Sequence, residues 1–433
     1  MKILIPIETC SRELMYKTYL SSLLAIEGFE CYFGTKRNIS ILVNKFKNYI
    51  YLDKGYHKGI SDKLYKKIHS RNGIIVNLDE EGAIDFPDGS TLKSRYSKEL
   101  FNASEKILLW GSYQHDLLKD LNLPLYKTKV TGHPRFELLK EKYHTLYQEE
   151  VNAIKNEYGS FILINSNFGF GNNIKGDDFV IENYGSRIKR IKEIVTFDKV
   201  KKATYIHLVK QLAKDKNIKV IYRPHPEENQ EVYKQDFKEF ENVDVVFNGS
   251  VVPWIIASEV MIHPDCTTGI EAIMVGKKSI SVLPEKFNPE IVTKLPIDIS
   301  YQFDNVEKAI FFINEKKYKE NKDFIKDFNI IDTFFSYTSD TSKDIVNELK
   351  AIKDKLPKVD NSKLSLKDNL IIKIKDYKLK TDTSEKSKLA KNKLSGFDYK
   401  NLNFLNNKLK EVNPTLDNVK IKVLSNQLFK FSR

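Results

Sequence analysis

Short apolar runs alternate with longer amphipathic stretches, twice over, and this alternation limits the chain more than any other feature. Lys2–Ile7 reads as a strand, and Arg12–Glu27 follows with helical spacing of Leu14, Tyr16, Tyr19, Leu20, Leu23 and Leu24. Gly28 stands where a helix of that length stops. Cys31–Gly34, Tyr49–Leu52, Gly73–Leu78 and Lys106–Trp110 continue the strand series. A second series opens with Phe161–Asn165. It runs through a long helical stretch over 185–214 and strands at 219–223, 243–247, 260–263 and 278–283. Strand–helix alternation of this kind predicts parallel sheets with helices on both faces. The expected class is therefore α/β, with two such domains facing a cleft and a basic C-terminal tail.

A chain of 433 residues suits two cores better than one. The expected division is 1–150 for an acceptor-side domain, 151–350 for a nucleotide-binding domain and 351–433 for a Lys-rich extension. After residue 350 there are 20 Lys/Arg against 9 Asp/Glu, so +11 of the net +13 lies in the last fifth of the chain. Stretch 381–393 reads as a solvated linker, and 397–412 keeps helical periodicity at Leu402, Leu405 and Leu409. A charge confined to one tail, with little aromatic interleaving, argues against a nucleic-acid-binding body. It suits attraction to an anionic membrane surface, or helices that pack back on the first domain.

Cys10, Cys31 and Cys266 form no CxxC pair, which speaks against a disulfide framework or zinc site and for a reducing cytoplasm. The N-terminus shows no signal-peptide pattern and no apolar run is long enough to span a bilayer.

Four motifs stand at expected strand ends. Asn77-Leu78-Asp79-Glu80-Glu81-Gly82 places three carboxylates together. Mutual repulsion and partial desolvation would raise a carboxyl pKa toward general-base duty, although a solvated acidic turn has the same composition. In Tyr222-Arg223-Pro224-His225-Pro226-Glu227-Glu228, two prolines stiffen the backbone around His225. A fixed imidazole beside Arg223 suits a phosphate leaving group. His263-Pro264-Asp265-Cys266-Thr267-Thr268-Gly269-Ile270-Glu271 sets hydroxyls and a glycine between strand and helix, an arrangement that makes an anion site or an ordinary cap. Glu271 is placed to meet ribose hydroxyls. Asn165-Ser166-Asn167-Phe168-Gly169 is a polar loop that lets a ligand approach closely at Gly169. Gly132-His133-Pro134-Arg135 reads as a structural turn or a donor contact, the turn being favoured. No Asp-x-Asp pair accompanies a strand, so neither a metal nor a cofactor is expected.

Glu80-Glu81-Gly82 together with His225-Pro226 resembles the motif pair of bacterial sialyltransferases of the GT-B fold, two Rossmann-like domains. Ile5-Pro6-Ile7-Glu8, Arg12-Glu13-Leu14, Asp79-Glu80-Glu81-Gly82, Trp110-Gly111, Gly132-His133-Pro134-Arg135 and His263-Pro264-Asp265 are more specifically similar to the bacterial surface-carbohydrate biosynthesis family, which is similar to the capsule Kdo transferases. The resemblance covers about residues 1–345. It implies a glycosyltransferase that moves a nonulosonic acid from a CMP-activated donor to a glycan acceptor, which is often lipid-linked. On that basis Glu80 is the base, with Asp79 its near competitor, and His225 assists departure of CMP. Thr267 and Thr268 hold the phosphate, and Asp265 or Glu81 is the carboxylate nucleophile of a retaining route. Asn165, Asn167, Gly169, Arg223, Pro226, His263 and Glu271 complete the expected donor contacts. Other donors remain open: a UDP-sugar, CDP-glycerol, or the substrate of a sugar-nucleotide epimerase. The expected location is cytoplasmic, peripheral at the inner membrane face.

Overall fold

The computed structural model describes residues 1–57, 59–82, 86–87, 89–185, 188–247, 249–284, 286, 288–320, 324–353 and 362–433. The chain forms two compact units. Unit 1 holds Met1–Ala83, Lys93–Leu138 and Asp332–Arg433, and unit 2 holds Ile84–Leu92 and Leu139–Ile331.

Unit 1 contains strands β1 (Lys2–Ile7), β2 (Glu30–Thr35), β3 (Ile50–Asp53), β4 (Ile74–Leu78), β5 (Lys106–Leu109) and β6 (Thr128–Val130). Unit 2 contains β7 (Ile162–Asn165), β8 (Val220–Arg223), β9 (Val243–Val245), β10 (Val260–His263), β11 (Ile280–Val282) and β12 (Tyr301–Phe303). A C-terminal hairpin, β13 (Lys420–Ser425) and β14 (Leu428–Ser432), belongs to unit 1. The strand orders are β13-β14-β2-β1-β3-β4-β5-β6 and β12-β11-β10-β7-β8-β9. Every pairing from β1 to β12 is parallel. In unit 1 the order reverses between β1 and β3, and in unit 2 between β7 and β10. At such switch points the loops beyond the carboxyl ends of the strands diverge and leave room for a ligand.

The strands read as continuous apolar runs because both sheet faces are covered. All of β1, β3, β7, β8, β10 and β11 is buried. Helix α1 (Cys10–Ile26) is buried on more than its apolar stripe: Lys17, Thr18, Ser21 and Ser22 are inside as well. The reason lies far along the chain, where Ser22 Oγ donates to Asn406 Oδ1 at 3.1 Å. Asn406 sits on a helix (Tyr399–Val412) that packs over α1.

The segment after residue 350 therefore packs back on the first domain, one of the two expectations for it, and is not a separate extension. β14 pairs antiparallel with β2, from Leu428 opposite Gly34 to Phe431 opposite Cys31, and Leu428, Phe429 and Phe431 are fully buried. The C-terminal residues complete the first core. The stretch expected as a solvated linker carries a helix, Glu385–Lys393. Helices α2 (Lys36–Lys45), α3 (Ile191–Leu212), α4 (Thr268–Met274) and α5 (Leu366–Thr381) are used below.

Candidate functional site

In unit 1 the acidic run follows β4 directly, one strand away from the switch point between β1 and β3. Its three carboxylates have three different surroundings. Asp79 is buried and held by Arg95 at 3.1 Å, with the Glu81 N–H donating to Asp79 Oδ1 at 2.9 Å. Burial pushes its carboxyl up, and Arg95 opposes this. Arg95 and the Glu81 N–H thus fix the orientation of Asp79.

Glu80 is also buried. Tyr16 Oη donates to Glu80 Oε1, and Lys17 Nζ lies 3.0 Å from the same oxygen. Lys17 further binds Glu13 at 2.6 Å and donates to the Pro6 carbonyl at 2.7 Å. Lys54, at the end of β3, also pairs with Glu13. The other Glu80 oxygen faces His133 Nε2 at 3.7 Å. Burial alone would push the Glu80 carboxyl up, but Lys17 and the neighbouring cations outweigh it and hold the carboxyl below its usual range. Glu80 is thus a buried, ion-paired carboxylate that ties the strand ends together, with its second oxygen turned to His133.

Glu81 is the exposed member, with 55% of its side chain accessible. Arg12 lies 3.3 Å from one oxygen and Arg95 ion-pairs with the other. Burial raises and the two arginines lower its carboxyl, with a net fall. Gly82 is required next: a Cβ there would lie 2.7 Å from the Trp110 indole nitrogen, which donates to the Asp79 carbonyl at 2.8 Å. Trp110 in turn packs on His133, with ring centroids 4.7 Å apart.

In unit 2 the sheet aligns the ends of β7 and β8, with Asn165 in register with Arg223. Asn165 is buried and donates to Met261 Sδ at 3.0 Å, while its Oδ1 has no hydrogen-bond partner among the described residues. The Arg223 guanidinium donates to the Gly249 carbonyl at 3.3 Å and lies 5.0 Å from the Trp254 ring centroid. Burial lowers its pKa to about 10, so it stays cationic at neutral pH. His225 is half-buried and Pro226 is exposed. The Glu227 N–H donates to His225 Nδ1 at 3.3 Å, which leaves Nε2 as the proton-bearing nitrogen of the neutral ring. A Cβ at residue 169 would come within 3.1 Å of that ring, so glycine there lets the β7 loop pass close beneath His225.

Glu228 ties the two loops together. Its Oε1 accepts from Ser166 Oγ at 2.8 Å, Phe168 N at 2.9 Å and His225 N at 3.1 Å, and its Oε2 accepts from Tyr233 Oη. The adjacent glutamates Glu227 and Glu228 look equivalent in the sequence, and only folding assigns one to solvent and one to this hub.

The third motif divides. Thr267 is exposed and Thr268, half-buried, opens α4, with Glu271 buried on the same helix. His263 and Asp265 do other work than expected. His263 is fully buried, with Nε2 3.0 Å from both Ser279 Oγ and Ser300 Oγ, and Nδ1 accepting from Cys266 N at 3.3 Å. Both ring nitrogens are engaged inward, so His263 is a core residue and not a donor contact. Asp265 pairs with Lys201 of α3 at 3.1 Å and accepts from Thr293 N at 3.3 Å. Lys201 also binds Asp198, which accepts from Phe170 N and Gly171 N. This buried Asp–Lys–Asp set anchors the β7 loop. Asn167 is half-buried, two residues past the end of β7.

Two units, each built on a parallel sheet with a switch point, the first extended by the antiparallel C-terminal hairpin, define a GT-B type of fold. A variant of the wall teichoic acid polymerase TagF has this architecture, with a TM-score of 0.50 at 10% identity over 82% of this chain and 88% of that one. Also similar are UDP-GlcNAc 2-epimerase from Neisseria meningitidis bound to UDP-GlcNAc (TM-score 0.49, 12% identity, 81% and 100% covered) and S. aureus MnaA with UDP (TM-score 0.49, 13% identity, 82% and 97% covered). At such identity the likeness is one of fold. No protein-family model matches the chain. Dihydrofolate reductase of Mycoplasma genitalium is 29% identical over 84 residues, a stretch spanning 18% of this chain and 52% of that protein. The chain thus spans about half the length of this curated relative.

Proposed function

We propose that the chain is a transferase of surface-glycan assembly whose donor is a pyrimidine nucleotide joined through phosphate to a sugar or polyol. The observation that carries this reading is the set Asn165, Arg223, Gly169 and His225 at the carboxyl ends of β7 and β8, held in place by Glu228. An arginine and an imidazole N–H two residues apart at one strand end suit a phosphate that gains charge as its bond to the transferred group breaks. Donors held in place before reaction stabilise the charge that develops in the transition state. Thr267 and Thr268 would add hydroxyls beyond β10, next to the switch point. In unit 1 we assign the acceptor-side carboxylate to Glu81, the exposed member of the acidic run, with Glu80 and Asp79 as its support. A UDP-sugar and CDP-glycerol are the donors of this kind that we put first.

A second reading keeps the CMP-nonulosonate donor. It rests on one observation, the pairing of Glu80-Glu81-Gly82 with His225-Pro226 that resembles sialyltransferases.

The test is a donor panel of UDP-GlcNAc, CDP-glycerol and CMP-sialic acid, read by thermal shift and by nucleotide release, with and without a chelator. UDP or CDP-linked compounds should stabilise the wild type and stabilise His225→Ala less. Release of CMP from CMP-sialic acid alone would select the second reading. Sugar interconversion without nucleotide release would mean an epimerase, and no stabilisation by any nucleotide would overturn the proposal.

A further inference from the structure

Helix α5 is built inside out. A surface helix ordinarily buries its apolar stripe and shows polar residues to water. The inner face of α5 instead carries Asp368, Ile372 and Asp376, all buried. Asp368 pairs with Lys45 of α2 at 2.7 Å and closes a capping box with Ser365. Asp376 accepts from Asn38 Nδ2 at 2.7 Å and from Gln427 N at 3.3 Å. The Lys375 carbonyl accepts from Arg37 Nη1 at 3.2 Å. Polar bonds therefore fix the helix to α2 and to the turn of the C-terminal hairpin, all within unit 1.

The outer face is apolar. Leu366, Leu370, Ile374 and Tyr377 are 90%, 58%, 46% and 67% exposed, at spacings of four, four and three residues. That spacing puts them in one line along the helix, about 17 Å long at 1.5 Å per residue. Helical geometry places Lys367 and Lys378 along one edge of the line and Lys373 and Lys380 along the other. Exposing four large apolar groups forfeits the burial that such residues ordinarily gain. The unit is not short of core: Ile372 on the same helix is fully buried.

We propose that this face of α5 lies flat on an anionic lipid surface. An apolar line edged by lysines on both sides fits the boundary between acyl chains and anionic headgroups: the leucines enter and the ammonium groups reach the phosphates. A tyrosine at the end of the line suits the same boundary. Charge decides against a second copy of this chain as the occupant, because two such faces would set eight lysines against each other. The helix would rest on the bilayer and not cross it, since no helix among the described residues is long and apolar enough to span one. The surrounding C-terminal segment, with +11 of the net charge, adds long-range attraction to the same surface. This inference stands whichever nucleotide the protein uses.

The test uses the full chain and vesicles of phosphatidylcholine, with or without a quarter of phosphatidylglycerol, read by co-sedimentation. Wild-type protein should bind the anionic vesicles, and about 0.5 M salt should weaken binding. Leu370→Ser with Ile374→Ser should lower affinity roughly ten-fold or more with an unchanged melting temperature. Lys367→Glu with Lys378→Glu, which alters only exposed charge, should do the same by an independent route. The proposal is overturned if the wild type ignores anionic vesicles, or if both double variants bind as the wild type does. It is equally overturned if the chain dimerises without lipid and Leu370→Ser with Ile374→Ser dissolves the dimer, which would assign the face to a second copy.

Discussion

Glu80 Oε2 and His133 Nε2 face each other at 3.7 Å, both buried, and neither has a hydrogen-bond partner among the described residues. The Arg135 N–H donates to His133 Nδ1 at 3.2 Å, so the proton of the neutral ring sits on Nε2 and points toward the carboxylate. Glu80 thereby couples α1, through Tyr16 and Lys17, to the turn that begins at His133.

This coupling separates the two glutamates. Glu80→Gln removes the charge that Lys17 and Tyr16 surround, and should cost about 2–3 kcal/mol of stability, less than the full loss of a buried pair because Lys17 keeps Glu13. Glu81→Gln alters a largely exposed group and should change stability by less than about 0.5 kcal/mol. Turnover in Glu81→Gln should fall on the order of 100-fold. Urea denaturation beside a turnover assay checks both, and a fully active Glu81→Gln would return the role to Glu80.

The two buried histidines make stability depend on pH. Burial lowers His133 to about 3 and His263 to about 4, against an ordinary value of 6.5. As pH falls through 6.5 the unfolded chain takes up protons that the folded chain refuses until about pH 4 and below. The unfolded state then binds more protons, so stability drops on acidification. The loss should reach about 2 kcal/mol per histidine at pH 5. Urea midpoints at pH 7 and pH 5 measure it, and His133→Gln should shrink the difference. An unchanged difference would mean that His133 titrates as an ordinary histidine.

Glu228 is expected to matter more for the fold than its neighbour Glu227. Removing it strands two backbone N–H groups and two hydroxyls, so Glu228→Ala should destabilise by on the order of 4 kcal/mol, whereas Glu227→Ala should stay near neutral. Thermal melts of the two variants decide this. Equal melting temperatures would deny the hub.

The C-terminal hairpin should be indispensable. Phe431 is fully buried on β14, so Phe431→Ala should cost about 3–5 kcal/mol. Truncation at residue 419 should unfold unit 1, as proteolysis and circular dichroism would reveal. A folded truncated protein would show that the hairpin is an accessory.

The strands from β1 to β5 and from β7 to β11 were readable from the sequence, because a strand buried on both faces must be continuously apolar and a covering helix must repeat at 3.6 residues, whereas β6 and β12, three residues each with none buried, were not. Lys2–Ile7, Phe161–Asn165 and Val260–His263 announce themselves in this way. The positions of the motifs at strand ends were readable for the same reason. Which member of each motif does the chemistry was not. Asp79, Glu80 and Glu81 are three adjacent carboxylates in the sequence. Arg95, Lys17 and His133, 16, 63 and 53 residues away, bury and pair the first two and leave the third exposed. His263 and Asp265 looked like ligands because their partners, Ser279, Ser300 and Lys201, are brought to them only by folding. The tail shows the limit most clearly. Its lysines describe a solvated, basic segment, and composition says nothing of an edge at β2 waiting for a strand. Backbone pairing across nearly 400 residues carries no local signature, so the place of β14, and the outward turn of the apolar face of α5, were decided by tertiary structure alone.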